Sequence, residues 1–372
     1  AQLEQGLVAT GYIETTTATV QKGILENLPR LDYSGGASCP SLLLEPQRTN
    51  LITHSELLTD SSWINQLGGT IDISQASALS GYNDAWKLNK ASGTFKSLRL
   101  QKTLASGNYT FTWFLKEGTI SIAEFRFDGG LGAQFIDFDL SSGTHGTNAN
   151  LSNIEMVAFN DGWYRCSASI NTNLTNVHLY IDDASVSSGA GYIYAQYPQL
   201  ETGSYPTSYI PTYGSSVTRS TDSCQIASGI SDLLPQGTGT MYIEATIDDA
   251  VDTEGYLMRI EQASFANTIF IARSTAGNLF VSYRNNNSTI FSLQKNNVAD
   301  TFKAAFAFES GNSVLYVNGE KINASSVTYT PAVTYDDLRV GGYSANTANI
   351  SGVVSQAMVF KTRLTDDECI AL

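Results

Sequence analysis

Apolar and polar residues alternate with period two along most of this chain. Runs such as "FKSLRLQKTL", "NYTFTWFLKEG", "ISIAEFRFDG", "AQFIDFDL", "DGWYRCSASI", "VHLYIDD" and "GYIYAQYPQLE" set β-branched and aromatic residues at alternate positions, and Gly, Ser and Asn interrupt them at short intervals. That period puts every second side chain on one face of an extended strand. About eight such strands with no helical run between them predict a two-sheet jelly roll. After "VTRSTDSCQIA" a second set begins with "GTGTMYIEATIDD" and runs through "YLMRIEQ", "NTIFIARS", "NLFVSYRNN", "TFKAAFAFESGNSVLYVNGEKI" and "DDLRVGGY" to "SGVVSQAMVFKTRLTDDECIAL". Asn318-Gly319 supplies the positive φ angles of a tight hairpin turn. The one helical turn expected is "TDDECIAL", with Thr365 as its cap and Glu368 closing a capping box. The fold class is therefore all-β, with two antiparallel sandwiches in tandem.

The chain also echoes itself. "AQLEQGLVATGYIETTTATV" at its start aligns without a gap on "PQLETGSYPTSYIPTYGSSV", which begins at Pro198, just under two hundred residues later. The shared positions are Gln2/Gln199, Leu3/Leu200, Glu4/Glu201, Gly6/Gly203, Thr10/Thr207, Tyr12/Tyr209, Ile13/Ile210, Thr15/Thr212 and Val20/Val217. "GYIYAQYPQLE" ends a sandwich and "TGSYPTSYIPT" leaves it, because Pro206 and Pro211 lack the backbone donor a central strand needs. The opening residues then read as the last strand and exit of a preceding sandwich, in a chain cut from a longer array. The expected boundaries are 1–35 for that remnant, 36–222 for the first sandwich and 223–372 for the second.

At 372 residues the chain exceeds the size at which one core stops growing, which agrees with two domains. Its 35 carboxylates against 21 Lys and Arg give a formal charge of −14. Such a field repels nucleic acid and anionic membranes. No apolar run approaches the roughly 20 residues of a membrane-spanning helix, so no membrane insertion is expected. Cys39, Cys166, Cys224 and Cys369 are far apart, as are His54, His145 and His178, so neither set has zinc-site spacing. Buried free thiols are the expectation for the cysteines.

Catalytic constellations are wanting. Asp137 and Asp139 in "FIDFDL" share a strand face, but glycoside hydrolysis needs two carboxyls across a cleft, and a solvated sheet face explains them better. No Gly-x-Ser-x-Gly elbow is present. A non-enzyme is the expectation, with no cofactor required. Calcium needs only hard oxygen ligands, and the acidic clusters that could offer them are Asp182, Asp183 and Asp248, Asp249, Asp252, with Glu254 beside them. Neither has EF-hand spacing, and a solvated acidic loop is the competing account of each.

Sugar recognition pairs aromatic faces with amide and carboxylate hydrogen bonds. "VSYRNNNSTIF" gathers Tyr283, Arg284, Asn285, Asn286 and Asn287 at a hairpin tip, and "VGGYSANTAN" places Tyr343, Asn346 and Asn349 on another loop. The competing account of the asparagines is that turns tolerate them in left-handed conformations. Trp63 and Trp86 lie near loops and are candidates for exposed ligand contacts, whereas Trp113 and Trp163 sit in strands and belong to the core.

Two resemblances cover most of the chain. "CPSLLLEPQRTNLITHSE", "DGWYRCS" and "AQYPQLETGSYPTSYIPTYGSSVTRS" resemble a jelly-roll, carbohydrate-binding-module-like domain found in bacteriophage tail and virion proteins and beside some secreted polysaccharide-degrading enzymes. "TFKAAFAF", "VLYVNGEKI", "DLRVGGY" and the closing "SGVVSQAMVFKTRLTDDEC" are similar to the concanavalin A-like, laminin-G-type sandwich. What this resemblance implies is a glycan-binding or adhesive segment of a tail-fibre or head-fibre type protein on a virion surface. Its partners would be a host-surface or extracellular polysaccharide, other virion subunits and further copies of itself, a homotrimer being favoured. The alternatives are the targeting modules of a secreted polysaccharidase and a purely structural spacer. Both folds host many functions, so the fold alone assigns none.

Overall fold

The computed structural model describes residues 29–33, 39–73, 79, 84–185, 188–222, 224–247, 255–262, 264–342 and 350–372. The echo at residues 1–20, the acidic stretch 248–254 and the loop 343–349 lie outside them. The chain divides into two compact units, and the division is not sequential. Arg48–Arg219 belongs to the first unit, while the described residues before it, 29–33 and 39–47, join Ser220–Leu372 in the second.

The first unit is built on one ten-stranded hydrogen-bonded sheet, with Arg48–Asn50 and Val217–Arg219 forming a separate two-stranded one. Ser97–Lys116 and Trp163–Ile181 are 20 and 19 residues long, too long to belong to one layer of a sandwich. Tyr109–Lys116 pairs with Trp163–Ile170 and with Gly191–Thr202, whereas Ser97–Leu104 pairs with Leu174–Tyr180 and Trp63–Asn65. The register breaks on either side of Leu174, and bulges of this kind bend a strand and raise its twist. Gly129 sits against this bend, where a Cβ would lie 1.9 Å from the Asn173 carbonyl oxygen. Ile122–Gly129 and Gly132–Asp139 extend one half of the sheet, and Trp86–Lys90 and Gly68–Ile73 extend the other.

Side chains from both halves meet between them. Phe111 lies 5.0 Å from Phe125, Phe125 lies 4.8 Å from Phe138, and Trp63 lies 5.6 Å from Trp113, ring centre to ring centre. Each fully buried aromatic contributes about 1.5–3 kcal/mol of transfer free energy. Trp113 is in the core as its strand position predicts, and Trp163 packs on Ala85 with Phe114 and Tyr194 beside it. Trp63 and Trp86 are core residues too, and the expected exposure of both is wrong. The Trp63 indole donates to the His54 carbonyl, which satisfies its polar atom away from water.

The stretch that leaves this sandwich acts as a clasp. Gln199 and Glu201 point away from the core and are buried under residues 203–212. Glu201 accepts hydrogen bonds from the Thr207 amide and hydroxyl at 2.8 and 2.7 Å, and Gln199 accepts one from the Ile210 amide at 2.8 Å. Asn50 donates to the Ile210 carbonyl, Tyr209 donates to Glu56, and three hydrogen bonds join Thr212 and Ser55. Val217 then pairs with Asn50. The positions repeated at the start of the chain are thus the ones that carry this clasp, which gives the echo a physical meaning.

The second unit has a seven-stranded and a six-stranded antiparallel sheet. Its core is aliphatic and aromatic, including Ile243, Ile260, Ile271, Phe302 and Phe306. Ser41–Leu44 pairs with Gly352–Phe360 in the seven-stranded sheet, and Leu31–Asp32 pairs with it in turn. The boundary expected at residue 36 therefore falls within a segment used by the second unit. Leu44 is a core residue, and Gly341 makes room for it, since a Cβ there would lie 2.2 Å from a Leu44 methyl. Arg30 anchors the segment by pairing with Glu45 at 2.5 Å and Asp222 at 2.8 Å. Asn318 and Gly319 form the predicted turn with φ angles of 51° and 75°. Thr365 and Glu368 complete the predicted capping box of Asp366–Ala371. Cys166 and Cys369 are buried free thiols as expected, whereas Cys39 and Cys224 are exposed.

Candidate functional site

The six-stranded sheet of the second unit presents an unusual outer face. Ile260, Ile269, Ile271, Val281 and Tyr283 point into the core. Their strand neighbours Arg259, Glu261, Phe270, Phe280 and Arg284 therefore point the other way. The strand Asp337–Val340 does the same with Asp337 and Arg339. Register brings Glu261 opposite Asp337 and Arg259 opposite Arg339. Two arginines directly opposite would repel. Glu261 prevents this: its Oε1 accepts from Arg259 Nη2 at 2.9 Å and lies 3.2 Å from Arg339 Nε. Arg339 Nη2 also reaches Asp337 Oδ2 at 3.2 Å, and Gln225 donates to the same oxygen at 2.7 Å.

These charges are far from water. The side chains of Arg259, Glu261 and Asp337 are 1%, 4% and 5% exposed, and Arg339 is 22% exposed. Burial pushes the Glu261 carboxyl above its ordinary range, and the neighbouring arginines oppose the shift. Glu261 Oε2 and Asp337 Oδ1 are buried without a hydrogen-bond partner among the described residues. A buried unpaired carboxylate oxygen costs free energy, so this arrangement is not what stability alone would select.

Aromatic rings border the charges. Tyr256, Phe265 and Phe270 lie 5.0 to 5.6 Å from one another. The Arg284 guanidinium sits 4.6 Å above Phe265, and that of Arg259 lies 5.8 Å from the same ring. Arg284, Arg339, Tyr256 and Phe265 form the accessible rim, and the buried Glu261 and Asp337 hold Arg339 within it. Among the described residues of this face, three guanidiniums stand over two carboxylates, on a strongly acidic chain. Such a surface can grip an anionic group with guanidinium forks, cover an apolar ring face, and accept hydroxyl hydrogen bonds.

Of the residues expected at the hairpin tip, only Arg284 joins this face. Tyr283 points into the core, stacks on Tyr329 at 4.1 Å, and has its hydroxyl pushed well up by burial, so the expected ligand contact is wrong. The Asn285 amide is committed to the Thr330 carbonyl and the Ala332 amide. Asn286 and Asn287 have φ angles of 48° and 65°, as the turn account expects. Tyr343, Asn346 and Asn349 lie outside the described residues, as do Asp248, Asp249 and Asp252.

For calcium, Asp182 accepts from the Asp183 amide, and Asp183 accepts from the Ser185 amide and hydroxyl. Among the described residues no group of three His, Cys, Asp or Glu side chains is placed to hold a metal. Asp137 is not on an open solvated face. It is half-buried opposite Glu124, and burial raises both carboxyls, Glu124 to about 7. The outer-face charges did leave a sequence signal. "YLMRIEQ" and "DDLRVGG" each hold opposite charges two residues apart, hence on one strand face, inside otherwise apolar strands.

Residues 218–369 match a family model described as Laminin_G_3, Concanavalin A-like lectin/glucanases superfamily. No curated protein matches the chain. Among solved structures, the carbohydrate-binding module CBM40 of the Ruminococcus gnavus IT-sialidase is similar at 16% identity and a TM-score of 0.34, covering 41% of this chain and 97% of that one. Mouse laminin alpha1 chain domains LG4-5 are similar at 13% identity and a TM-score of 0.29, covering 72% and 86%. A pentraxin from Limulus polyphemus is similar at 13% identity and a TM-score of 0.30, covering 37% and 70%.

Proposed function

We propose that this protein is a non-catalytic glycan-binding or adhesive segment, and that the outer face built on Arg259, Glu261, Asp337 and Arg339 holds an acidic sugar. The observation that carries this reading is the buried charge cluster with its accessible arginine and aromatic rim. Arg339 and Arg284 grip the sugar carboxylate, Phe265 and Tyr256 cover its ring, and the carboxylates below hold Arg339 in place. The match of residues 218–369 to a lectin and glucanase superfamily agrees with a carbohydrate partner.

The setting we propose is the surface of a bacteriophage tail-fibre or head-fibre type protein, supported by the resemblance of the first sandwich to virion jelly rolls. A single shallow site of this kind binds in the millimolar to micromolar range, and trimeric display multiplies avidity by about 10²- to 10⁴-fold. An array of acidic and neutral glycans, probed with the protein in trimeric display, tests the reading. Acidic glycans should be retained by wild type, and Arg339→Ala should weaken them at least about tenfold, a loss of one charge-assisted hydrogen bond. Retention of neutral glycans alone, or equal retention by the variant, would refute the assignment.

A further inference from the structure

The first unit carries a second surface with a different chemistry. Four rings run in a row across the outer face of the sheet half that holds Tyr109–Lys116. Phe159 lies 5.2 Å from Phe114, Phe114 lies 5.7 Å from Tyr197, and Tyr197 stacks on Tyr209 at 4.6 Å. Phe159 is 44% exposed at one end, and the other three rings are half-buried. Tyr197 has a φ of 53°, in the left-handed region that a bulky residue enters only at a cost. That backbone sits in a register break of Gly191–Thr202, between Gln196 and Gln199.

Two neighbouring rungs of the same chemistry lie beside the row and differ in one respect. On the first, Thr110 and Ser169 are cross-strand partners whose hydroxyls lie 2.6 Å apart, and Thr110 also donates to the Gly203 carbonyl at 2.9 Å. On the second, Thr112 and Ser167 are likewise partners, but neither hydroxyl has a hydrogen bond among the described residues. Both residues are at least nine-tenths buried. Arg165, opposite Phe114, has a buried Nε in the same condition. The clasp satisfies the first rung and leaves the second without a partner.

From these observations we infer that the row from Phe159 to Tyr209, with Thr112, Ser167 and Arg165 beside it, is a binding site for a neutral hexose or pentose oligosaccharide. Rings spaced along a sheet face cover the apolar side of successive sugar rings. The unpaired hydroxyls offer donors and acceptors to a sugar hydroxyl that enters between the rings. Charges balance along the row, with Glu56, Asp84 and Asp161 against Arg165, Lys116 and Arg219, which suits a chain that carries no charge of its own. This site is separate from the arginine face of the second unit, and its fate does not depend on that assignment.

Saturation-transfer NMR and calorimetry on the full chain test it with maltohexaose, cellohexaose and xylohexaose as neutral probes and trigalacturonate as the acidic one. At least one neutral hexaose should bind, Phe159→Ala should weaken it tenfold or more, and Arg339→Ala should leave it unchanged. Thr112→Val removes an unpaired hydroxyl at constant shape, so it should keep or raise the melting temperature while weakening the same sugar severalfold. Circular dichroism confirms that each variant is folded. Silence of all three neutral probes, or binding that Phe159→Ala does not change, would overturn the site, and unchanged affinity in Thr112→Val would remove the hydroxyl rung from it.

Discussion

Both sandwiches bury polar side chains on a face turned away from the core, and they satisfy them by opposite means. In the first unit, Gln199, Glu201 and Asn50 take backbone amides and carbonyls from residues that follow in the same chain. In the second, Arg259, Glu261, Arg339 and Asp337 satisfy one another and leave two carboxylate oxygens over. A face closed by the protein's own backbone is part of the fold. A face of paired charges with spare acceptors is held ready for something else, at a cost in stability.

The largest effect should come from breaking the clasp. Glu201→Ala removes the acceptor of three hydrogen bonds, from the Thr207 amide and hydroxyl and the Gln199 side-chain amide, and the partner of the Arg48 guanidinium 3.7 Å away. Removing one member of a buried charged network costs about 3–5 kcal/mol. Urea unfolding of the first unit should register that loss and the second unit's transition should not move. A loss under about 1 kcal/mol would mean that the clasp is dispensable.

The corresponding change in the second unit should have the other sign. Replacing both Arg259 and Glu261 by Met and Leu exchanges a buried pair for apolar volume, which is neutral or stabilising by about 1–4 kcal/mol. The Arg259→Met, Glu261→Leu variant should therefore unfold no earlier than wild type and lose acidic-glycan retention. If it is destabilised as much as Glu201→Ala, the two faces are alike and both are structural.

A smaller effect concerns the Glu124 carboxyl, which burial chiefly raises to about 7, with Asp137 and Asp183 adding and the Ala184 amide and Arg126 opposing. Because its folded-state value lies above the unfolded one, the stability it contributes is complete below about pH 4.5 and declines as pH rises toward 7. Glu124→Gln keeps an oxygen for the Ala184 amide and carries no charge. It should match wild type near pH 4 and exceed it at pH 8 by on the order of 1–2 kcal/mol, seen as a higher melting temperature of the first unit only. An equal difference at both pH values would show that Glu124 is not held protonated.

Period-two alternation, the Asn318-Gly319 turn and the Thr365 cap were legible because each depends on residues close in sequence. The allocation of "SLLL" to the second unit was not, since it depends on strand pairing with residues more than three hundred positions away. The clasp was half legible. The echo marked its residues, but Arg48, Asn50 and Ser55, which complete it, are not repeated at the start of the chain. Tyr283 was misplaced because an aromatic beside polar turn residues looks exposed, whereas its strand parity sends it inward with Val281. The arginine face was visible only as charge pairs two residues apart. The sequence could not tell which strands lie side by side and turn those pairs into one cluster.

The hairpin tip separates turn chemistry from recognition at the smallest scale. Asn286 has a φ of 48°, and its amide is held by the Asn267 side chain at 2.8 Å. Alanine in the left-handed region costs about 1 kcal/mol, whereas glycine enters it freely. Asn286→Ala should lower the stability of the second unit by about that amount, and Asn286→Gly should stay within about 0.5 kcal/mol of wild type. Neither should change acidic-glycan retention, although the residue is only two positions from Arg284. If the glycine variant kept its stability and lost its ligand, the asparagine side chain would belong to the site. The acidic-sugar face would then extend from the arginines to the hairpin tip.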